Sequence, residues 1–92
     1  MKIIETKKFK KEIKTIALYI KKDKPSVSIE FVSALKEQIN DLVNFPYKYR
    51  KSIYFDDENI RDMIFRGYTI IYEVKENSIE VISIFNQNKP LS

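Results

Sequence analysis

The stretch IFRGYTIIYEVKENSIEVISIFN, from Ile64 to Asn86, contains Gly67, the only glycine of the 92-residue chain. Glycine enters positive φ without a steric penalty, so a single glycine between runs rich in Ile, Tyr, Phe and Val marks a tight turn. The runs on both sides of it, and the run after the polar turn Lys75–Ser78, have the β-branched and aromatic residues typical of strands. Together with IRDMIF before the glycine, the stretch predicts a three-stranded antiparallel meander.

The composition limits the classes to which the protein can belong. A chain of 92 residues with 43% apolar side chains suits a single domain, residues 1–92, with one modest core. The absence of Cys and His excludes a disulfide framework, a thiol nucleophile and the commonest general base and metal ligand. We therefore expect no cofactor and no metal site. No apolar run is long enough for a signal peptide or a membrane span, so we expect a cytoplasmic protein without membrane contact.

The positive charge of the chain is concentrated at its start. Residues 1–22 carry eight Lys and two Glu, a local charge of +6, whereas residues 56–92 carry four basic and seven acidic side chains, a local charge of −3. The electric field of such a basic block attracts nucleic acid or an acidic protein segment. The alternative interpretation is a solvated helix face.

Two amphipathic helices are predicted before the meander. From Thr6 onwards, apolar residues recur at helical spacing, at Phe9, Ile13, Ile16, Ala17 and Ile20. The following DKP segment interrupts the pattern: Asp23 is expected to cap a second helix, and Pro25 to occupy its first turn, where a missing N–H costs nothing. The second helix is expected to end before Pro46. Two helices joined so tightly form an antiparallel hairpin.

The remaining segments complete the predicted fold. The MKIIE start is expected to form a strand beside one of the later strands, and SIYF (residues 52–55) a short edge strand. Tyr47–Lys51 interleaves aromatic and basic side chains, as in surfaces that contact phosphates and bases, although many loops have the same composition. The order strand, helix, helix and antiparallel strands predicts an α+β fold in which a helical hairpin packs on a mostly antiparallel sheet of about four strands.

The chain resembles the RelE/ParE superfamily, the toxins of type II toxin–antitoxin systems. The resemblance covers nearly the whole length: the two-helix opening, NFPYKYR after the second helix and, above all, IRDMIFRGYTIIYEVKENSIEVISIF. In this family, a basic strand residue, a turn, a strand of the form Y-x-I-x-Y-x-V and a final apolar strand follow in this order. The residues that match this pattern are Arg61, Tyr68, Ile70, Tyr72 and Val74.

The resemblance implies one of two activities. RelE-like members cut mRNA in the ribosomal A site, with several cations around one phosphate and often a C-terminal Tyr or His for proton transfer. This chain has Met63, Thr69 and Gln87 where that branch has cations, and no Tyr or His follows Tyr72. The ParE-like branch, whose studied members poison DNA gyrase by binding, is therefore favoured. The chain departs from that branch as well, with NQN at residues 86–88 where an H-G-R-like segment is common.

The resemblance also implies partners and site residues. The implied partners are a cognate antitoxin and DNA gyrase, or the ribosome and mRNA in the alternative, with operator DNA reached only through the antitoxin. A degenerate antitoxin-binding module without toxicity is a third possibility. The candidates for target binding are Arg61, Arg66, Tyr68, Asn86, Gln87 and Lys89. The candidates for antitoxin binding are Lys7, Lys11, Lys14, Phe31 and Leu35. The catalytic candidates of a nuclease are Arg61, Arg66, Lys48, Arg50 and Lys51.

Overall fold

The computed structural model describes residues 1–86, in which two helices pack on one face of a five-stranded sheet. The elements are β1 (Lys2–Glu5), α1 (Lys7–Asp23), α2 (Pro25–Asp41), β2 (Arg50–Lys51), β3 (Ile60–Phe65), β4 (Tyr68–Val74) and β5 (Ser78–Asn86). The predicted α+β class is confirmed. Within residues 1–86, neither helix is long and apolar enough to cross a membrane.

The sheet has the strand order β1-β5-β4-β3-β2. The meander predicted from the glycine-containing stretch is confirmed, because β4 pairs antiparallel with both β3 and β5. The N-terminal strand β1 pairs parallel with β5, which also confirms the prediction that the start of the chain joins the sheet. The sheet has five strands rather than about four, since β2 adds a two-residue edge.

The corner between β3 and β4 explains the position of the single glycine. Arg66 and Gly67 both have positive φ, 49° and 84°, as a two-residue type I′ hairpin turn requires. The flanking residues Phe65 and Tyr68 form the last pair of the ladder. A Cβ atom added at Gly67 would meet no heavy atom within 4 Å. The glycine is therefore required by the backbone conformation of the turn and not by lack of space.

The prediction that SIYF (residues 52–55) forms a strand is wrong. In this part of the chain, the strand that pairs with β3 is Arg50–Lys51, and the N–H of Ser52 donates to the carbonyl of Ile60 at 2.7 Å. The backbone N–H of Ile53 then donates to Oδ2 of the buried Asp62, at 3.1 Å, and so turns the chain onto the sheet. The ring of Tyr54 packs edge-on against Phe85 of β5, with 5.3 Å between the centroids. Residues 52–55 therefore lie across a face of the sheet, because the buried carboxylate of Asp62 accepts a hydrogen bond from their backbone. We call this segment the strap.

The helical hairpin is joined through a single residue, Lys24. Asp23 does not cap the second helix as predicted; it is the last residue of α1, and Lys24 occupies the cap position. Pro25 does lie in the first turn of α2. At the other end of α1, the Thr6 hydroxyl accepts from the N–H of Phe9 at 3.1 Å and donates to the carbonyl of Ile82 at 2.8 Å. This hydroxyl thus caps the helix and ties its start to β5.

The core lies between the helices and the sheet. Tyr72, in the middle of β4, is fully buried, and its hydroxyl donates to the carbonyl of Pro46 at 2.7 Å. The other buried residues of this core are Phe9, Ile13, Phe31, Leu35, Ile39, Leu42, Met63, Phe65, Ile70, Val74, Ile79, Val81 and Ile84.

We predict that Gly67→Ala lowers the free energy of unfolding by about 1–2 kcal/mol, because a Cβ atom is strained in the left-handed region. Gly67→Asn should cause a smaller loss, since asparagine tolerates that region better than alanine. Urea denaturation of the two variants and the parent chain measures both values. Equal losses for Ala and Asn would contradict the conformational explanation.

Candidate functional site

Arg61, the residue proposed as the basic strand position, is held inside the structure. Its Nε donates to the carbonyl of Glu58 at 2.9 Å, and its Nη1 donates to the carbonyl of Tyr49 at 3.1 Å. The guanidinium lies 4.8 Å from the ring centroid of Tyr47, a cation–π distance. Because these contacts use two of its five N–H donors and one face of its plane, and its Nη2 lies 3.6 Å from the Glu58 carboxylate, Arg61 organises the loop before β2.

Arg66 is bound to the second helix. Its two terminal nitrogens donate to the two carboxylate oxygens of Glu30, at 2.6 and 3.0 Å, and its guanidinium lies 4.9 Å from the ring centroid of Phe65. The hydrogen bond from Arg66 lowers the pKa of Glu30 below its usual range. Arg66 therefore joins the hairpin corner to α2 by a bidentate ion pair at the protein surface.

The two arginines do not meet. Arg61 is the second residue of β3, and Arg66 lies in the turn after its last residue, Phe65; the four strand steps from Arg61 to Phe65 alone span about 14 Å. Each one contacts a different carboxylate, Glu58 for Arg61 and Glu30 for Arg66. The structure therefore does not bring these two cations together around one phosphate group.

The basic residues of Tyr47–Lys51 are also close to carboxylates or to rings. Lys51 lies 3.2 Å from Asp56 and 3.6 Å from Glu58, and the hydrogen bond to Asp56 raises its pKa. Arg50 lies 3.4 Å from Asp62, whose side chain is buried. Lys48 lies 5.5 Å from the ring centroid of Tyr49. This loop therefore has a mixed charge and does not form a concentrated cationic site.

The phenols of β4 are poor candidates for a general base. Burial raises the pKa of Tyr72 to about 12, and burial followed by the nearby Tyr19 raises the pKa of Tyr68. Both hydroxyls are therefore protonated at neutral pH, and that of Tyr72 is already donated to a carbonyl. Tyr72 is thus a core residue with a satisfied hydroxyl. Among residues 1–86, no group of three or more His, Cys, Asp and Glu side chains could hold a metal ion.

The predicted antitoxin-binding residues divide into two groups. Phe31 and Leu35 are 5% and 0% exposed and lie in the core, which removes both from any partner surface of the folded domain. Their position has a simple cause: α2 carries apolar residues on more than one side, and these two lie on the side that faces the sheet. Lys7, Lys11 and Lys14 are exposed on α1.

The predicted target-binding residues at the end of β5 are only partly described. Asn86 is the last residue of β5 and lies opposite Tyr68 in the sheet, beside the β3–β4 corner. Gln87 and Lys89 lie outside the described residues. Tyr68 contacts Phe31 edge-on, with 5.4 Å between ring centroids, and remains partly exposed beside α1.

An open groove of about 570 Å³ lies between α1 and the ends of β4 and β5. Its polar floor is already satisfied, because the carboxylate of Glu12 accepts from the Ser83 hydroxyl at 2.9 Å and from the N–H of Ile84 at 3.1 Å. Tyr19, 73% exposed, supplies a large ring at its edge. The residues that line the groove are Lys11, Glu12, Thr15, Ile16, Tyr19, Tyr68, Ile84, Phe85 and Asn86.

A second depression, with both apolar and charged residues in its lining, follows the groove towards the helix junction. Tyr19 also borders this depression, which is lined by Ile20, Lys22, Lys24 and Val27 among others. Val27 is 44% exposed. We call the first groove and this depression together the α1 groove. Sequence reasoning did not identify Tyr19, because its helical spacing is unremarkable and only the folded chain brings it next to β4 and β5.

Comparison with known proteins gives a family and a fold. Residues 3–90 match the family model described as the ParE toxin of type II toxin–antitoxin system, parDE. A chain in the solved structure of the chromosomal ParDE TA system from P. aeruginosa superposes with a TM-score of 0.75 at 17% sequence identity, covering 94% of this chain and 95% of that one. At that identity, the likeness shows a common fold. No curated protein matches the sequence.

We predict that Arg61→Ala lowers the free energy of unfolding by about 1.5–3 kcal/mol, because two hydrogen bonds from a charged donor are lost. Arg66→Ala should cost less than about 1 kcal/mol, since its partner is an exposed carboxylate. Urea denaturation compares the two variants. A loss for Arg66→Ala equal to or greater than that for Arg61→Ala would contradict the structural role of Arg61.

Proposed function

Because the chain belongs to the ParE toxin family of type II toxin–antitoxin systems, we propose that it stops bacterial growth by binding DNA gyrase and that a cognate antitoxin neutralises it. Operator DNA would be bound by the antitoxin of the complex. Gyrase acts on chromosomal DNA, so the protein would work in the cytoplasm. The family match supports the toxin and its antitoxin, and the arrangement of the cations supports binding rather than cleavage of the target.

One observation carries the choice against a nuclease: Arg61 and Arg66 are separated, and the cation beside Arg61 is shared with a carboxylate, since Lys51 is its cross-strand partner and both lie 3.6 Å from Glu58. Arg61 and Arg66 stand at opposite ends of β3, and each is bound to other groups of the protein. Phosphodiester cleavage without a metal needs cations that converge on the developing charge and a group that takes up a proton. The raised pKa of Tyr68 and Tyr72 argues against either phenol as that group. A binding mechanism needs neither feature.

The α1 groove supports the proposed antitoxin interaction. The centre of a protein interface is typically apolar and rich in aromatic residues, and Tyr19, Tyr68 and Phe85 provide such a centre. Lys11 stands on its border, and Lys7 and Lys14 lie on the same helix. An antitoxin segment that places apolar side chains in the groove and an acidic side chain beside Lys11 would match both features, with the charge pair increasing the association rate.

We predict that expression of the chain alone arrests growth and that co-expression of its antitoxin restores it. With purified components, the chain should inhibit supercoiling by DNA gyrase and cause cleaved DNA complexes to accumulate. It should leave mRNA intact when added to translating ribosomes, because within residues 1–86 Arg61 and Arg66 do not converge on one site and neither phenol of β4 suits a general base.

Three outcomes would contradict this proposal. Codon-periodic mRNA cuts that disappear in Arg61→Ala would assign the protein to the RelE-like nucleases. Normal growth despite soluble expressed protein would indicate an antitoxin-binding module without toxicity. Growth arrest with unaffected gyrase would reject gyrase as the target.

For the antitoxin interface, we predict that Tyr19→Ala weakens antitoxin binding at least tenfold, because a large ring is lost from the border of the groove. Ile29→Ala is a matched control, since Ile29 on α2 is also 73% exposed but does not line the groove. Calorimetric titration of each variant with the antitoxin gives the two affinities. Equal weakening by both substitutions, or no weakening by Tyr19→Ala, would contradict the proposal that the antitoxin binds in this groove.

A further inference from the structure

Six lysines of α1 share one side of the helix. At about 100° per residue, their directions fall within a sector of about 120° around the helix axis. Leu18 is the apolar residue whose direction falls within the same sector, and it is 51% exposed. We call this side the lysine crest; it consists of Lys7, Lys10, Lys11, Lys14, Lys21 and Lys22.

The ammonium groups of the crest have no partners within residues 1–86: no hydrogen bond or ion pair involves any of these six side chains. Other lysines differ, since Lys8, Lys36 and Lys75 each lie within 3.0 Å of a carboxylate oxygen. Glu12, the acidic residue in the middle of α1, points to the sheet, where it accepts hydrogen bonds from β5. The positive charge of the crest is therefore not compensated by neighbouring carboxylates.

The crest and the α1 groove are chemically different surfaces on the same helix. Lysine is depleted at protein–protein interfaces, where a few buried aromatic residues supply most of the affinity. Protein–DNA interfaces are instead strongly positive, and the phosphate backbone supplies most of their non-specific affinity. The groove thus suits a protein, whereas six exposed lysines around a single leucine suit a polyanion.

The dimensions of the crest fit duplex DNA. From Lys7 to Lys22, the helix rises about 22 Å. Duplex DNA carries one negative charge per about 1.7 Å of its axis, counting both strands, so several phosphates on the facing side of the duplex come within reach of a crest of this length. We propose that the lysine crest binds the phosphate backbone of duplex DNA directly and without reading its sequence.

This contact goes beyond the expectation that DNA is reached only through the antitoxin. It does not depend on the identity of the cellular target, because the isolated chain can be tested with DNA alone. Lys11 and Lys22 belong to the crest and also border the α1 groove. A protein bound in the groove would therefore come close to DNA bound on the crest.

Fluorescence anisotropy of a labelled 24-base-pair duplex, titrated with the purified chain between 50 and 200 mM NaCl, tests the proposal. Six phosphate contacts should make the affinity fall about 10³-fold over this range, because each contact releases counterions. Lys10→Gln/Lys14→Gln/Lys21→Gln should reduce that fall to about 40-fold, since three contacts remain. A second duplex of unrelated sequence should bind with the same affinity and the same salt dependence.

The matched control removes the same charge elsewhere, from three lysines that are paired with carboxylates: Lys36→Gln/Lys51→Gln/Lys75→Gln. It should bind with the salt dependence of the parent chain. Thermal melting by circular dichroism verifies that both triple variants are folded.

Equal loss of affinity in both triple variants would overturn the proposal, because binding would then follow net charge or the Tyr47–Lys51 loop. A parent chain that does not bind either duplex at 50 mM NaCl would overturn it as well. A poly-glutamate peptide with the same net charge as the duplex is the last comparison. If it binds the crest more tightly than the duplex does, the crest is assigned to an acidic protein segment instead.

Discussion

The hydrogen bond from the Tyr72 hydroxyl to the carbonyl of Pro46 connects the central strand of the sheet to the segment that follows α2. Tyr72 is fully buried, so its hydroxyl needs a partner inside the protein, and Pro46 lies five residues after the last residue of α2, Asp41. The bond fixes the start of the Tyr47–Lys51 loop over β3. Arg61 then completes the loop by donating to the carbonyl of Tyr49 and lying over the ring of Tyr47. The residues that resemble a cationic site in the sequence therefore build the connection between the two layers.

The helix α1 is the element on which we propose both partner surfaces. Its buried side contains Phe9 and Ile13 and anchors the helix on the sheet. A second side borders the α1 groove, where Tyr19 stands beside β4 and β5, and a third side is the lysine crest. The three sides differ in chemistry because each meets a different environment. Apolar burial thus anchors the helix, the aromatic groove is the surface that we propose for a protein partner, and the uncompensated row of ammonium groups is the one that we propose for DNA.

Much of the fold could be predicted from the sequence because its signals are local. The helical period of α1, the single glycine at a positive-φ corner and the β-branched runs each depend on neighbouring residues.

The site was less predictable, since the partners of Arg61 are backbone carbonyls that no residue pattern identifies. Phe31 and Leu35, which were expected at a partner surface, are buried, because the period of α2 does not tell which apolar side faces the sheet. The strap after β2 depends on the buried Asp62, a long-range contact. The α1 groove likewise exists only where the folded chain brings Tyr19, Tyr68 and Phe85 together.

The location of the partner surface on α1 is tested most directly by amide chemical-shift changes in the ¹⁵N-labelled chain during titration with its cognate antitoxin. We expect the largest changes at the residues of the α1 groove, in the second half of α1, at Tyr68 and at the end of β5. The Tyr47–Lys51 loop and Arg61 should change little, because they form the interior connection between the two layers. Largest changes in that loop and at Arg61, with α1 unaffected, would contradict the assignment and return the partner site to the aromatic and basic segment.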